Sequence, residues 1–246
     1  QVGSGRVGLG FFIVAAMLHT TAIGWRWYVS GRWPNANMFE AITTASWMGV
    51  VSTLWLSYLT RRRQMRWVFL VGGGVAAMLS LLAVRLYPLE LSPAISNKMP
   101  VLHDVWLYIH TNCIIFSYCL IMLAAVSAGL YLIRRVVLRA RGISGVDDYA
   151  RAGGAATLVQ VRPGAIAGMG ATLDAATMIL VEVSFILLWA GIAMGAIWAD
   201  HSWGRPWGWD PKEVFALNTF LVFAVLIHAR MKVRDKGLWT AILAAV

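Results

Sequence analysis

Long apolar segments recur along this chain and constrain its fold more than any other feature. About twenty apolar residues are enough to cross the roughly 30 Å hydrocarbon core of a bilayer as a helix. Each such segment should be helical, because no water is present there to satisfy free backbone groups. The composition agrees, with 59% hydrophobic and 13% charged residues. We therefore predict an all-α, polytopic integral membrane helix bundle with six spans at 9–29, 38–59, 67–86, 106–133, 173–198 and 212–231, and the start of a seventh at Gly237.

The whole chain, residues 1–246, is predicted to form a single transmembrane domain, because no convincing internal repeat divides it. Its least hydrophobic internal stretch, 139–170, is rich in glycine and predicts a flexible connection between two spans. The sequence begins without a methionine and stops inside an apolar run. We therefore expect a fragment of a longer protein, truncated at both ends.

Basic residues are concentrated in alternate connections. The net charge of +10 could suggest a nucleic-acid partner, but 15 of the 21 Lys and Arg residues lie in four clusters. These clusters are Arg6; Arg61, Arg62, Arg63 and Arg66; Arg134, Arg135, Arg139, Arg141, Arg151 and Arg162; and Arg230, Lys232, Arg234 and Lys236. Such asymmetry is the positive-inside signal. It predicts that these connections, including 139–170, are cytoplasmic, and it gives no ground for a nucleic-acid partner.

Three tryptophans, Trp203, Trp207 and Trp209, fall in one predicted loop at 199–211, on the side opposite the basic connections. Loops between membrane helices are normally polar, so this density of indoles needs a reason. A flat aromatic ligand lying against the loop is one explanation. An aromatic belt at the membrane–water interface, where Trp is enriched, is the alternative.

The residues that follow these tryptophans predict the start of a helix. Asp210 is a favoured N-cap residue, Pro211 suits the first helical position, and Glu213 completes a capping box. We therefore assign Asp210 mainly to the geometry of the helix start.

Two histidines lie at opposite ends of predicted spans. His110 is at the end of the fourth span nearest the tryptophan loop. His228 follows Asp210 by 18 residues, which is about 27 Å along a helix. Neutral imidazole is a common metal ligand and a usual axial ligand of haem iron. Each could equally be a capping, snorkelling or hydrogen-bonded residue, and the residues alone leave both readings open.

Other polar and small residues are predicted to be structural. We expect His103 to be a solvated loop residue, His19 a satisfied intramembrane histidine, and His201 a residue of the tryptophan loop without a required ligand role. Free cysteine behaves as a small hydrophobe, which predicts packing roles for Cys113 and Cys119. The Gly72-Gly-Gly74 triplet predicts close helix approach.

The loop sequence Trp207-Gly-Trp209-Asp210-Pro-Lys-Glu resembles the WxWD loop of the CcsA/ResC family of cytochrome c biogenesis proteins. His110, in Trp-Leu-x-Ile-His, matches the family's external haem ligand, and His228 matches its transmembrane haem ligand. The approach to the second span, with Asn37 and Glu40, is also similar, and we interpret both as groups at that helix start. A second external histidine of the family has no counterpart, since the chain ends first.

The resemblance implies a cytochrome c haem lyase, the synthetase subunit that works with a CcsB/ResB-type partner in the bacterial plasma membrane or the thylakoid membrane. Haem b would enter from the cytoplasmic side, cross the bundle, and be joined through thioethers to the Cys-x-x-Cys-His segment of apocytochrome c. The implied iron ligands are His110 and His228. The implied haem contacts are Trp203, Trp207, Trp209 and Arg205, and the implied catalytic residues are His110, Trp207, Trp209 and Asp210.

Three other functions are weighed against this one. A haem exporter or chaperone of the CcmC type would share the loop, but that loop does not normally continue into Asp-Pro-Lys-Glu. A solute transporter would be expected to have broken helices or a repeat, and neither is seen. A structural subunit of a respiratory complex is the third alternative.

Overall fold

In the computed structural model, the described residues are 2–59, 63–95, 104–142, 169–233 and 235–245. This part of the chain forms seven helices: α1 Val2–Ser30, α2 Met38–Leu59, α3 Arg63–Leu86, α4 Val105–Ala140, α5 Met169–Trp203, α6 Pro211–Lys232 and α7 Lys236–Ala245. The predicted all-α class is confirmed.

Five of these helices are long and apolar enough to cross a membrane: α1, α3, α4, α5 and α6. Helix α2 has 22 residues and carries the buried Glu40, and it is not among these five. Helix α7 is described over 10 residues. The predicted connection at 139–170 lies mostly outside the described residues, because α4 continues to Ala140 and α5 begins at Met169.

Successive helices run in opposite directions, so the bundle has two ends. The loop end carries residues 31–37, 87–95 and 204–210, and the basic end carries the end of α4 and the start of α7. The most extensive helix–helix contact joins α4 to α5. The first four turns of α5 are almost wholly buried, because α4, α6 and α7 all pack around them.

Small residues allow the close contacts predicted for Gly72-Gly-Gly74. A β-carbon at Gly73 would stand 2.7 Å from Cγ2 of Thr53, so α2 and α3 approach where a side chain is absent. Cys119 is buried and Cys113 is half-buried, both as free thiols. The predictions of packing roles for the glycines and cysteines are therefore confirmed.

Two ion pairs connect helices at the basic end. Arg230 of α6 donates to both carboxylate oxygens of Asp174 in α5, over 2.8 and 2.6 Å, and both side chains are buried. Arg135 of α4 pairs with Asp235, which precedes α7, through a 3.0 Å bond from Nη1 to Oδ1. Two arginines of the basic clusters therefore bind the bundle together. The sequence analysis interpreted Arg135 and Arg230 only as markers of membrane topology.

Candidate functional site

His110 lies in the second turn of α4, with its ring against α5. Its Nδ1 is 2.7 Å from the backbone oxygen of Gly191. A carbonyl oxygen only accepts, so Nδ1 carries the proton in the neutral ring and the lone pair is on Nε2. No described residue bonds Nε2. This is the arrangement of a histidine whose free nitrogen can bind a metal, with its orientation fixed by the hydrogen bond at the other nitrogen.

Glycines of α5 make room for this ring. A β-carbon at Gly195 would stand 2.7 Å from Cε1 and Nδ1 of His110, and one at Gly191 would stand 2.6 Å from Cδ1 of Ile114. The sequence analysis identified neither glycine. Their spacing of four residues places both on the face of α5 that meets α4.

The α1–α2 connection, residues 31–37, braces α4 directly after His110. Trp33 donates its indole N–H to Oδ1 of Asn112 over 3.0 Å, and Asn35 donates its amide to Oγ1 of Thr111 over 2.9 Å. Thr111 and Asn112 are the two residues that follow His110. The brace therefore fixes the position of α4 at the turn that carries the imidazole.

A buried ion cluster holds this connection in place. Glu40 is fully buried and accepts from Arg26 over 2.9 and 3.0 Å and from Arg32 over 2.7 Å. It also accepts the backbone N–H of Ala36, while its own N–H donates to Oδ1 of Asn37. The prediction that Asn37 and Glu40 are groups of the helix start is confirmed.

Helix α5 extends further than the sequence predicted, so the loop is shorter. The expected end was residue 198, but the helix continues to Trp203 and is followed by Gly204, which has a φ of +68°. The N–H of Gly204 donates to the oxygen of Asp200 over 2.8 Å. His201 and Trp203, expected in the loop, are therefore exposed residues of the last helical turn.

The loop proper, residues 204–210, places two indoles edge to face. The rings of Trp207 and Trp209 are 5.7 Å apart at 86°. Trp207 is half-buried, and its indole N–H is shielded without a partner in the described part of the chain. Trp209 is 70% exposed, so its ring is available to a ligand or to the membrane interface. Arg205 lies against Gly208, where a β-carbon would stand 3.1 Å from its guanidinium carbon.

Helix α6 begins with the predicted capping box. Asp210 is the N-cap and accepts the N–H of Glu213 over 2.9 Å, while the Glu213 carboxylate returns a bond to the N–H of Asp210 over 3.4 Å. Pro211 occupies the first turn. Asp210 is thus engaged in the helix start, as the sequence indicated.

His228 lies at the far end of α6, about 27 Å from Asp210 along the helix axis. Its Nδ1 is 2.7 Å from the oxygen of Ala224 in the same helix, and the side chain is exposed. The Nε2 atom therefore bears the lone pair here too, and no described residue bonds it. The structure does not bring His228 together with His110.

Trp198 is a further aromatic residue of the loop end, which the sequence analysis missed. Its ring packs edge to face on Trp203 at 6.4 Å, and its indole N–H is shielded without a described partner. It lies three residues after Gly195, on the face of α5 that contacts His110. Trp198 precedes Trp203 by only five residues, but the span predicted to end at residue 198 separated it from the tryptophan loop.

The remaining histidines have different outcomes. Nε2 of His19 is buried and has no partner among the described residues, so the expectation of a satisfied imidazole is wrong for this atom. His103 lies outside the described residues. Within those residues, no group of three or more His, Cys, Asp or Glu side chains could hold a metal ion. His110 and His228 each keep an Nε2 atom that bonds no described residue.

The fold and site together define a polytopic, helical integral membrane protein with an aromatic loop and two histidines that lie far apart in the bundle. The sequence model of the family described as Cytochrome C assembly protein matches residues 35–246. The protein named Cytochrome c biogenesis protein CcsA from Guillardia theta is 31% identical over 98% of this chain and 78% of its own length. The protein of the same name from Microcystis aeruginosa is 30% identical over 99% of this chain and 80% of its own length. The chain belongs to the CcsA family, and its role lies in cytochrome c maturation.

Proposed function

We propose that this chain carries haem across the membrane and presents it at the loop end for thioether attachment to apocytochrome c. The observation that carries the proposal is the open Nε2 of His110, held by Gly191 in the helix that leads directly into the tryptophan loop. This nitrogen would bind the haem iron. Trp203, Trp207 and Trp209 supply the aromatic surface for the porphyrin, and Arg205 supplies a cation for a propionate.

His228 forms the second site, at the basic end. Its Nδ1–H bond to Ala224 directs the lone pair of Nε2 away from its own helix, and the ring is exposed on the surface of the bundle. An exposed imidazole in apolar surroundings is costly without a ligand or partner. We infer that haem b binds here on entry and that a CcsB/ResB-type membrane protein would supply a further residue to hold it.

The covalent step at the loop end joins two cysteine thiols of a Cys-x-x-Cys-His segment to the two vinyl groups of haem. Each sulfur forms a bond to a vinyl carbon, and the thiol hydrogen passes to the neighbouring carbon, so the addition exchanges no electrons. The reactivity belongs to haem and thiol, and the protein supplies orientation. His110 and the indoles orient the ring, and Asp210 contributes through the geometry of the loop.

The test separates the ligand from the aromatic surface. His110→Ala should abolish holocytochrome c formation while haem remains at the His228 site, and added imidazole should restore part of the yield by filling the position that the His110 ring leaves empty. Trp207→Ala with Trp209→Ala should also abolish the yield, but imidazole should not restore it. Each packed indole buries roughly 150–250 Å², which no small molecule replaces.

A matched control is Trp55→Ala with Trp189→Ala, which removes two other exposed indoles from helix faces and should leave the yield at the wild-type level. The measurements are the Soret absorbance of the purified protein and haem staining of the covalent product. Normal holocytochrome c formation by the Trp207 and Trp209 double variant would contradict the proposed role of the loop.

The membrane orientation forms part of the proposal. We place the loop end outside the cytoplasm, because the basic residues gather at the other end. In a background without native cysteines, Ser202→Cys should react with an impermeant thiol reagent added outside the cytoplasm, and Lys232→Cys should not. The reverse labelling pattern would invert the proposed direction of haem movement.

A further inference from the structure

Trp209 has a backbone conformation that a tryptophan rarely adopts. Its φ is +56°, in the left-handed region, and it is the one non-glycine residue with positive φ in the part of the chain that the structure describes. A bulky side chain at such an angle is a genuine outlier, because its β-carbon crowds the backbone. Residues persist there only when their surroundings hold them, and they cluster at functional sites.

Glu213 accepts hydrogen bonds that hold Trp209 in this conformation. Its Oε2 accepts the backbone N–H of Gly208 over 2.8 Å and that of Asp210 over 3.4 Å. These N–H groups lie before and after Trp209, in the peptide units 207–208 and 209–210. One carboxylate oxygen therefore ties together the two backbone segments that Trp209 joins. Asp210 in turn holds Glu213 through the 2.9 Å bond to its backbone N–H.

Helix capping does not account for the whole of this arrangement. A capping box needs only the bond from Glu213 to the N–H of the N-cap residue, Asp210. The shorter of the two bonds goes to Gly208, two residues before the N-cap, where it contributes nothing to the helix. Its effect is on the loop, because it sets the direction in which the Trp209 indole leaves the backbone.

We propose that Glu213 is a positioning residue, which acts through Trp209 by holding it in the left-handed conformation that presents its indole to haem. This inference rests on the proposed function, since it assigns the indole to the haem surface. Without Glu213, Trp209 relaxes toward negative φ, and the presenting conformation becomes a minor state. If about one tenth of the molecules retain it, the apparent affinity of the loop for haem falls about tenfold.

Two substitutions separate the hydrogen-bond acceptor from the charge. Glu213→Ala removes both bonds and should reduce haem at the loop end about tenfold. Glu213→Gln keeps a side-chain oxygen that accepts both N–H groups, as the single Oε2 does now, and should retain haem near the wild-type level. Equal loss in both variants would overturn the proposal, since the charge would then be what matters.

A double-mutant cycle tests whether Glu213 acts through Trp209. Trp209→Ala alone and Trp209→Ala with Glu213→Ala should lose the same amount of haem. Without the indole, the backbone conformation at residue 209 no longer affects haem binding. Additive losses would show that Glu213 acts independently of the indole and would overturn the proposal. His228→Ala is included in every background, and haem is added directly to the purified protein in detergent, where it reaches the loop end without passing His228, so that only haem at the loop end is measured.

A measurement without haem tests whether Glu213 positions Trp209, separately from whether the Trp209 indole binds haem. In protein labelled with 5-fluorotryptophan, the Trp209 resonance is identified by its loss in Trp209→Phe. It should shift in Glu213→Ala and stay unchanged in Glu213→Gln. An unchanged resonance in Glu213→Ala would overturn the proposal that Glu213 positions Trp209. A shifted resonance, with haem unaffected by both Glu213→Ala and Trp209→Ala, overturns the role of the indole in haem binding.

Discussion

A β-carbon added to Gly195 would stand 2.7 Å from both Cε1 and Nδ1 of His110, so α5 has no space for a side chain where the imidazole rests. Contacts under 3 Å between carbon atoms force one partner to move, and here the ring would have to leave the oxygen of Gly191. The direction of the His110 lone pair therefore depends on the absence of a methyl group on the neighbouring helix.

We accordingly expect Gly195→Ala to reduce holocytochrome c formation about as strongly as His110→Ala, although alanine favours a helix over glycine by about 1 kcal/mol. Gly129→Ala in α4 is the matched control, because its added β-carbon meets nothing within 4 Å. Haem staining of the product measures the yield. Full activity of Gly195→Ala would mean that the ring orientation seen here is not the one that matters.

The proposed haem site at His228 is tested separately. His228→Ala should lower the haem that purifies with the protein without unfolding it, because the side chain is exposed and bonds only to the oxygen of Ala224 in its own helix. Added imidazole should restore part of this haem. His201→Ala removes another exposed histidine and should leave the Soret band unchanged. Wild-type haem content in His228→Ala would remove that residue as a ligand.

The buried pair of Asp174 and Arg230 should matter for folding. The two side chains are 1% and 7% exposed, so Asp174→Ala would leave a buried guanidinium uncompensated, at a cost of about 3–5 kcal/mol. Thermal unfolding in detergent measures the loss, with the exposed Asp200→Ala as the control. Asp174→Leu combined with Arg230→Met should recover most of the stability, since apolar replacements of both partners are often tolerated.

Acid should weaken the contact between α4 and α7. The hydrogen bond from Arg135 lowers the pKa of Asp235, and burial opposes this less strongly. Because the folded-state pKa lies below the unfolded one, the stabilisation is complete above the unfolded pKa and is lost as the pH falls through the folded pKa.

The difference in melting temperature between wild type and Asp235→Asn should therefore narrow below about pH 4. At neutral pH we expect a difference of about 2–4 °C, which corresponds to about 1 kcal/mol. A difference that does not change with pH would show that Asp235 stabilises the bundle without its charge.

Local structure was predictable from the sequence where a short motif determines it. The Asp210 to Glu213 capping box, the close approach at Gly73 and the helix start at Glu40 all follow from neighbouring residues, and the structure has each of them. The helical segments followed from hydropathy, with the end of α5 misplaced by five residues because Ala199 to Trp203 mix polar and apolar side chains.

Long-range pairing was not predictable from one sequence. Asn35 and Thr111 are 76 residues apart, and Asp174 and Arg230 are 56 apart, so nothing local marks either pair. The acceptor of His110, a backbone oxygen of α5, has no side-chain signature at all. The left-handed backbone of Trp209 also escaped prediction, because it opposes the preference of the residue that adopts it.

The two imidazoles differ in what a helix movement would do to them. His228 and its acceptor Ala224 belong to one helix, so this hydrogen bond does not depend on how α6 packs against its neighbours. His110 and its acceptor belong to different helices, and the turn that carries it is tied to the α1–α2 connection by Asn35 and Trp33. A shift between α4 and α5 would break that alignment. The His228 ring therefore keeps its orientation relative to α6 whatever the packing of the bundle, whereas the orientation of the His110 ring reports the relative position of α4 and α5.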